Sequence, residues 1–255
     1  MVAVPQETSS GAPLQQLAYD SIRDLETGET STIAISTEPR NTGTRIRPSS
    51  NEAIGIGNQL PDPQIIIGPD GRYEVTNVNV YPYSTTVFII STFADGYELV
   101  GSGTLVSPTA VLTAAHNFYD RVHGFALSVS VKPGGVRSNF PTIYGYNVVY
   151  NSNYPIGQEP DPTLDYGIVQ IPSFTSAGFL GFGTTFDSTL INQPIINWAY
   201  PGDKPEGTLW ADDTGTITFV TPSLFYHIAD TEHGSSGSPI VTSLAWDLIV
   251  GIHTG

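Results

Sequence analysis

The stretch GTLVSPTAVLTAAH, residues 103 to 116, decides the class of fold. Its apolar and β-branched residues come in short runs separated by turn residues, which is the pattern of strands rather than helix. The same texture continues on both sides, through VFIISTF at 87 to 93, ALSVSV at 126 to 131 and YGIVQI at 166 to 171. It resumes in PIINWAY at 194 to 200, TITFV at 216 to 220, SPIVTS at 238 to 243 and LIVGIH at 248 to 253, with no long helical segment competing. Only 13% of residues are charged, while Gly 26, Pro 20 and Tyr 13 are abundant, a composition suited to short strands and many turns. An all-β chain is expected. Its 255 residues can bury a substantial core, enough for one large domain or two closely joined barrels. No repeat of fixed period occurs, and the strand spacing accommodates two small Greek-key barrels with a join near residues 172 to 180.

Residues 1 to 64 differ in texture. They are rich in Ser, Thr, Gly, Pro and Arg and carry no sustained apolar period, which reads as a propeptide or loosely ordered arm. Within them LQQLAYDSIRDL, at 14 to 25, places Leu14, Leu17, Ile22 and Leu25 near helical spacing and predicts one short amphipathic helix. The start, MVAVPQETSS, lacks a basic n-region and a long apolar h-region, so no intact signal peptide is read in this numbering.

Charge and sulfur exclude several classes. A net charge of -15 repels phosphate backbones and anionic lipid, so neither nucleic acid nor a membrane surface is an expected partner. No stretch approaches the roughly 20 apolar residues that span a bilayer. With no Cys there are no disulfides, thiolate zinc sites or cysteine nucleophiles. The acids Glu159, Asp161 and Asp165 lie among prolines without ligand-loop spacing and read as a solvated loop; no metal and no cofactor is expected.

Three local signals carry chemistry. Gly234-Ser235-Ser236-Gly237-Ser238-Pro239 sets a serine between two glycines, which permit a tight turn and close approach of a substrate carbonyl to the hydroxyl and to neighbouring N–H groups. An ordinary Gly/Ser turn is the alternative. Thr113-Ala114-Ala115-His116 ends an apolar strand in small residues and a histidine, which a turn cap also explains. Leu164-Asp165-Tyr166-Gly167-Ile168-Val169 puts an acid before a buried strand, where the carboxylate needs a partner or serves as a strand cap. Taken together they fall in the order His, Asp, Ser, the order of chymotrypsin-type hydrolases rather than of subtilisins or α/β-hydrolases.

From about Ile65 onward the chain resembles the glutamyl endopeptidases, the V8-like and bacillus-type branch of the chymotrypsin-like serine proteases. The resemblance rests on V-T-N-x-x-x-Y-P-Y at 75 to 83, T-A-A-H at 113 to 116 and D-Y-G at 165 to 167. It continues through Y-P-G-D-K at 200 to 204, G-x-S-G-S-P at 234 to 239 and I-H-T at 252 to 254. It implies a chymotrypsin-like double six-stranded Greek-key barrel, the first spanning 65 to 175 with His116 and Asp165, the second 176 to 255 with Ser236 and the specificity pocket. Relatives continue past G-I-H-T-G, so the second barrel is expected to be incomplete at its C-terminal end.

The resemblance further implies a secreted, monomeric endopeptidase acting on proteins or peptides through an acyl-enzyme. Ser236 would be the nucleophile, His116 the general base and Asp165 its orienting acid, with the N–H groups of Gly234 and Ser236 as the oxyanion hole. Cleavage after Glu, with Asp as second choice, follows from Thr231 and His253 as pocket donors and from a new amino terminus at Ile65, released by cutting after Gln64. Ser235 occupies the position at which trypsin-like zymogens carry an acid, so that activation switch does not apply. His233 is read as solvent-facing, and His123 and His227 have no assigned role. A chymotrypsin-like protease of other specificity and a noncatalytic protease-like binding module are the competing readings.

Overall fold

The computed structural model describes residues 21–32, 54–55, 66–154, 161–183, 188–221, 223–242 and 245–255. Among these residues helix appears only as 3-10 turns of three residues each, so the all-β expectation holds.

A nine-stranded sheet runs in the order Ile143–Tyr144, Ser128–Pro133, Thr86–Thr92, Glu98–Ser107, Ala110–Thr113, Gly167–Gln170, Asn147–Tyr150, Ser21–Asp24 and Thr30–Thr32. The stretch quoted at the outset thus becomes two antiparallel strands, pairing Gly103 with Thr113 and Leu105 with Val111. Side chains alternate across the pleat: in SVSVKP at 128 to 133 every second residue, Val129, Val131 and Pro133, is buried. Val87, Ile89, Leu105, Val111, Val148 and Val169, none of them measurably exposed, line the same interior. Each contributes about 1.5–3 kcal/mol on burial.

The first and seventh strands in this order are neighbours along the chain, separated only by Gly145 and Tyr146. Gly145 N donates to Val129 O at 2.8 Å, and Tyr146 N donates to Gln170 O at 2.9 Å. One bent stretch is therefore bonded to both ends of the five strands between them, and the sheet curls around its valine-rich interior.

The second sheet has six strands, in the order Gly181–Phe182, Ala245–Ile252, Pro239–Thr242, Ile195–Ala199, Trp210–Asp212 and Tyr73–Glu74. Its first pair is parallel and the others antiparallel. Phe225–His227, Ile217–Val220 and Ile54–Gly55 form a three-stranded sheet, of which Ile217, Val220, Phe225 and Tyr226 pack into a second core with Trp198, Ile195 and Leu209.

Three departures from the sequence reading are physical. Ser21–Asp24, expected in a helix, is a strand paired with Asn147–Tyr150; residues 14 to 20 lie outside the described residues. Helical spacing of four apolar residues is outweighed by a free sheet edge that satisfies the backbone of 21 to 24. The hairpin continues to Thr32, Leu25 is buried in the first core, and the Arg23 guanidinium lies 4.7 Å from the centre of the Phe125 ring. This part of the 1 to 64 segment is thus built into the sheet rather than loose. Finally, Tyr73–Glu74 pairs with Trp210–Asp212, and Val75 and Val78 enter the second core, so the chain crosses between the two halves before the 65 to 175 region builds the first sheet.

Candidate active site

His116 sits in a 3-10 turn, Ala115–Asn117, at the end of strand Ala110–Thr113. Asp165 closes the turn Pro162–Leu164, which Asp161 caps by accepting the N–H of Thr163 at 2.8 Å, and the strand Gly167–Gln170 follows. Because that strand pairs with Ala110–Thr113, Gly167 opposite Thr113, the residues just beyond the paired ends are brought together. Asp165 is 6% exposed and accepts twice from His116: Oδ1 from the backbone N–H at 3.0 Å, and Oδ2 from ring Nδ1 at 2.7 Å. The earlier reading of this acid as part of a solvated loop does not survive. Asp161 stays exposed as a cap, while Glu159 lies outside the described residues.

The Nδ1 bond has a chemical consequence. A carboxylate facing Nδ1 keeps the proton there and leaves Nε2 as the basic nitrogen. Burial alone would lower the affinity of His116 for a second proton, but the charge and hydrogen bond of Asp165 outweigh it and hold the imidazole above its ordinary value.

Ser236 comes from the turn that leads into strand Pro239–Thr242 and is 5% exposed. Both flanking glycines are in the left-handed region, Gly234 at φ 89° and Gly237 at φ 84°. A side chain at Gly237 would collide with Ser102 O and Thr113 Oγ1 and lie 2.8 Å from Asn117 Nδ2; one at Gly234 would lie 2.6 Å from Tyr200 O. Glycine is therefore demanded twice, by backbone conformation and by space.

The turn is fastened from the first sheet. Ser102 N donates to Ser236 O at 2.9 Å and Ser102 Oγ to Gly234 O at 2.7 Å. Asn117 Nδ2 donates to the same Ser236 carbonyl at 2.8 Å. Asn117 is the residue after His116, so the histidine and the serine turn are held by one continuous set of bonds. Among the described residues the N–H groups of Gly234 and Ser236 have no acceptor. Neither Ser102 nor Asn117 was singled out from sequence; a polar residue one step beyond T-A-A-H is the only trace of Asn117.

Thr231 and His253 are both 2% exposed. His253 N donates to Ser238 O at 2.9 Å and its carbonyl accepts from Gly237 N at 2.7 Å, which fixes it beside the serine turn. His227, given no role from sequence, joins it: His227 Nε2 lies 3.3 Å from His253 Nδ1. Ala229 N donates to Nδ1 of His227 at 3.2 Å, so the His227 proton sits on Nε2 and the His253 proton on its own Nε2. Burial holds both rings well below the ordinary imidazole value, and so neutral. His233 is exposed, as read. His123 stacks on Tyr97, ring centres 4.2 Å apart, with Asp95 2.6 Å from its Nδ1, on a surface turn.

Ile65 lies outside the described residues, but the segment that follows is anchored beside Thr231. Asp230, the neighbour of Thr231, accepts from Ile67 N at 2.7 Å and Gly71 N at 2.8 Å. The buried Arg72 guanidinium donates to Asp203 at 3.0 Å through Nη1 and to Asp70 at 2.9 Å through Nε, tying the same segment to the Y-P-G-D-K loop. The guanidinium is buried while both carboxylates are exposed, so losing the acids would leave a buried charge uncompensated.

An all-β scaffold that joins a His–carboxylate pair to a glycine-flanked serine turn is the arrangement of trypsin-like peptidases. The chain belongs to that family: residues 101–252 match the trypsin-like peptidase domain. It is 34% identical over 183 residues to a glutamyl endopeptidase of Bacillus licheniformis, covering 69% of this chain and 54% of that protein. It is 28% identical over 201 residues to a Bacillus subtilis protein named as an extracellular metalloprotease, covering 77% of this chain and 64% of the relative. The chain thus spans between about half and two thirds of the length of these relatives. Among solved structures, a Glu endopeptidase in complex with MPD superposes with a TM-score of 0.65 at 25% identity, covering 75% of this chain and 87% of that one. The fold is accordingly chymotrypsin-like.

Proposed function

We propose that the protein is a serine endopeptidase that cleaves protein or peptide substrates after Glu, with Asp as second choice. The carrying observation is that Asp165 holds both the ring and the backbone of His116, while the next residue, Asn117, bonds the carbonyl of Ser236. Ser236 Oγ adds to the scissile carbonyl as His116 Nε2 takes its proton. The resulting oxyanion receives the N–H groups of Gly234 and Ser236, and the imidazolium, stabilised by Asp165, protonates the departing amine. Water then repeats the sequence on the acyl-enzyme, and His116 returns the proton to Ser236.

Acid recognition is assigned to Thr231, His253 and a new amino terminus at Ile65. The neutral His227–His253 pair supports it, because its tautomers make His253 Nε2 a donor without a fixed cation. The Asp230 bonds to Ile67 and Gly71 support the terminus, since they bring the start of this segment beside Thr231 before any cut is made. The likeness to a glutamyl endopeptidase points the same way. Residues 65 to 175 and 176 to 255 then act as the two halves that supply the base and the nucleophile. Export and a monomeric state complete the proposal; one relative is named extracellular, and among the described residues no helix is long and apolar enough to cross a membrane.

The test is digestion of a mixed peptide library by protein whose amino terminus has been sequenced, with Ser236→Ala as control. Cuts after Glu from a chain beginning at Ile65 are expected; cuts unrelated to an acidic residue would overturn the pocket, and equal cutting by the control would overturn the nucleophile. Thr231→Val and His253→Leu each remove one donor to a carboxylate, and are expected to lower kcat/KM on Glu substrates about 10- to 100-fold. Loss of the same size on small esters lacking the acid would remove the pocket assignment.

Activity requires His116 neutral. Since Asp165 raises its proton affinity, kcat/KM should be full above that raised value and fall as pH drops through it, with an acid limb above about 6.5. A limb well below that value would mean that Asp165 does not raise the proton affinity of His116.

A further inference from the structure

The Gly234 N–H belongs to the peptide unit that joins His233 to Gly234. A trans peptide is planar, so its C=O and N–H point in opposite directions, and whatever holds the carbonyl aims the amide. Here the carbonyl is held, because His233 O accepts from Gly202 N at 2.6 Å. The two chains approach closely: a side chain at Gly202 would lie 3.1 Å from His233 O, and one at Gly234 would lie 3.2 Å from Gly202 N. Gly202 thus sits directly behind one of the two oxyanion donors.

The next residue, Asp203, ties this loop to the segment that follows Ile65. Its two oxygens accept from Arg72 Nη1 at 3.0 Å and Nη2 at 2.5 Å, while Arg72 Nε and Nη2 reach Asp70 at 2.9 Å and 3.0 Å. The Arg72 side chain is 3% exposed, against 33% for Asp70 and 37% for Asp203. A buried planar fork that donates twice to each carboxylate fixes direction as well as distance, which a hydrated surface pair does not. Lys204 adds a second tie, with Nζ 2.7 Å from Asp70 and 4.5 Å from the centre of the Trp210 ring.

Resting on the reading of the Gly234 N–H as an oxyanion donor, we infer that Arg72 and Asp203 are positioning residues whose ion pair holds Gly202 against His233 O and so aims that N–H at the developing oxyanion. Three links carry the effect: guanidinium to Asp203, Gly202 N to His233 O, and the rigid peptide unit to Gly234 N. Asp230 anchors the segment of Arg72 at Ile67 and Gly71, so seating that segment completes the oxyanion hole together with the pocket.

The experiment is Asp203→Ala in the processed full chain, with concentration set by active-site titration. The variant cuts the link but leaves Arg72 paired with Asp70, so the fold is kept. An oxyanion donor acts in the transition state, so kcat should fall about 10- to 100-fold with KM within about twofold. Arg72→Met should lose a similar factor, and the double variant no more than either alone. Arg137→Ala, which removes the neighbouring ion pair with Glu74, should keep the parental kcat. Hydrogen exchange at the Gly202 N–H reads the link without turnover: its protection should fall about tenfold or more in Asp203→Ala and stay unchanged in Arg137→Ala. An unchanged kcat in Asp203→Ala, a loss confined to KM, or losses that add in the double variant overturns the inference. An inactive parent chain counts against the peptidase reading, and the Gly202 exchange then decides the link, unchanged protection overturning it.

Discussion

Ser236→Ala is expected to lower kcat by roughly a million-fold while leaving the fold intact, because it removes the atom that forms the acyl bond and nothing that holds the turn. The bonds that fasten this turn run to its backbone: Ser102 N and Asn117 Nδ2 reach the Ser236 carbonyl, and Ser102 Oγ reaches that of Gly234. None involves the Ser236 hydroxyl. The variant should keep its near-UV circular dichroism and its peptide affinity, and should give no burst with an active-site titrant. A residual kcat within tenfold of the parent would remove Ser236 as nucleophile.

Asp165→Asn should cost roughly ten-thousand-fold in kcat, without loss of fold. The carboxylate presents an acceptor to each of two His116 N–H groups, whereas an amide offers one acceptor and one NH2 donor. If the NH2 faces ring Nδ1, the imidazole proton moves to Nε2, where the base is needed. If it faces the backbone N–H instead, two donors oppose each other and the turn carrying His116 loosens. In both cases the charge that opposed the burial of His116 is lost, so the acid limb of the residual activity should fall below that of the parent. Rates within tenfold of the parent would show that Asp165 neither sets the tautomer nor stabilises the imidazolium.

The two variants probe parts of the site that differ in how they were legible. The serine turn and T-A-A-H are contiguous, and their glycine and small-residue requirements come from local backbone geometry, as the positive φ values of Gly234 and Gly237 illustrate. The strands were legible for a similar reason, since side-chain alternation follows from the pleat, as in SVSVKP at 128 to 133. Residues that support the site left no such trace. Asn117 bonds a carbonyl 119 positions away, Ser102 one 132 positions away, and His227 a ring 26 positions away. A single Asn, Ser or His in sequence does not announce a distant partner.

The N-terminal hairpin was misread for a related reason. Ile22 and Leu25 fit a helical period, yet the backbone of Ser21–Asp24 takes its bonds from the edge strand Asn147–Tyr150, which exists only after the sheet has curled. The crossing of Tyr73–Glu74 to the other half is likewise a pairing between strands more than a hundred residues apart, Glu74 opposite Trp210.

By itself, then, the sequence determined the all-β class, the glycine-flanked serine turn and the order His116, Asp165, Ser236, because each follows from short-range sterics or from a period of two along a strand. Tertiary structure alone decided that Asp165 grips His116 at two points, that Asn117 and Ser102 pin the serine turn, and that His227 sets the tautomer of His253. Those are bonds between buried polar groups far apart in the chain, and they form only where the closed sheet excludes water and leaves each donor one acceptor within reach.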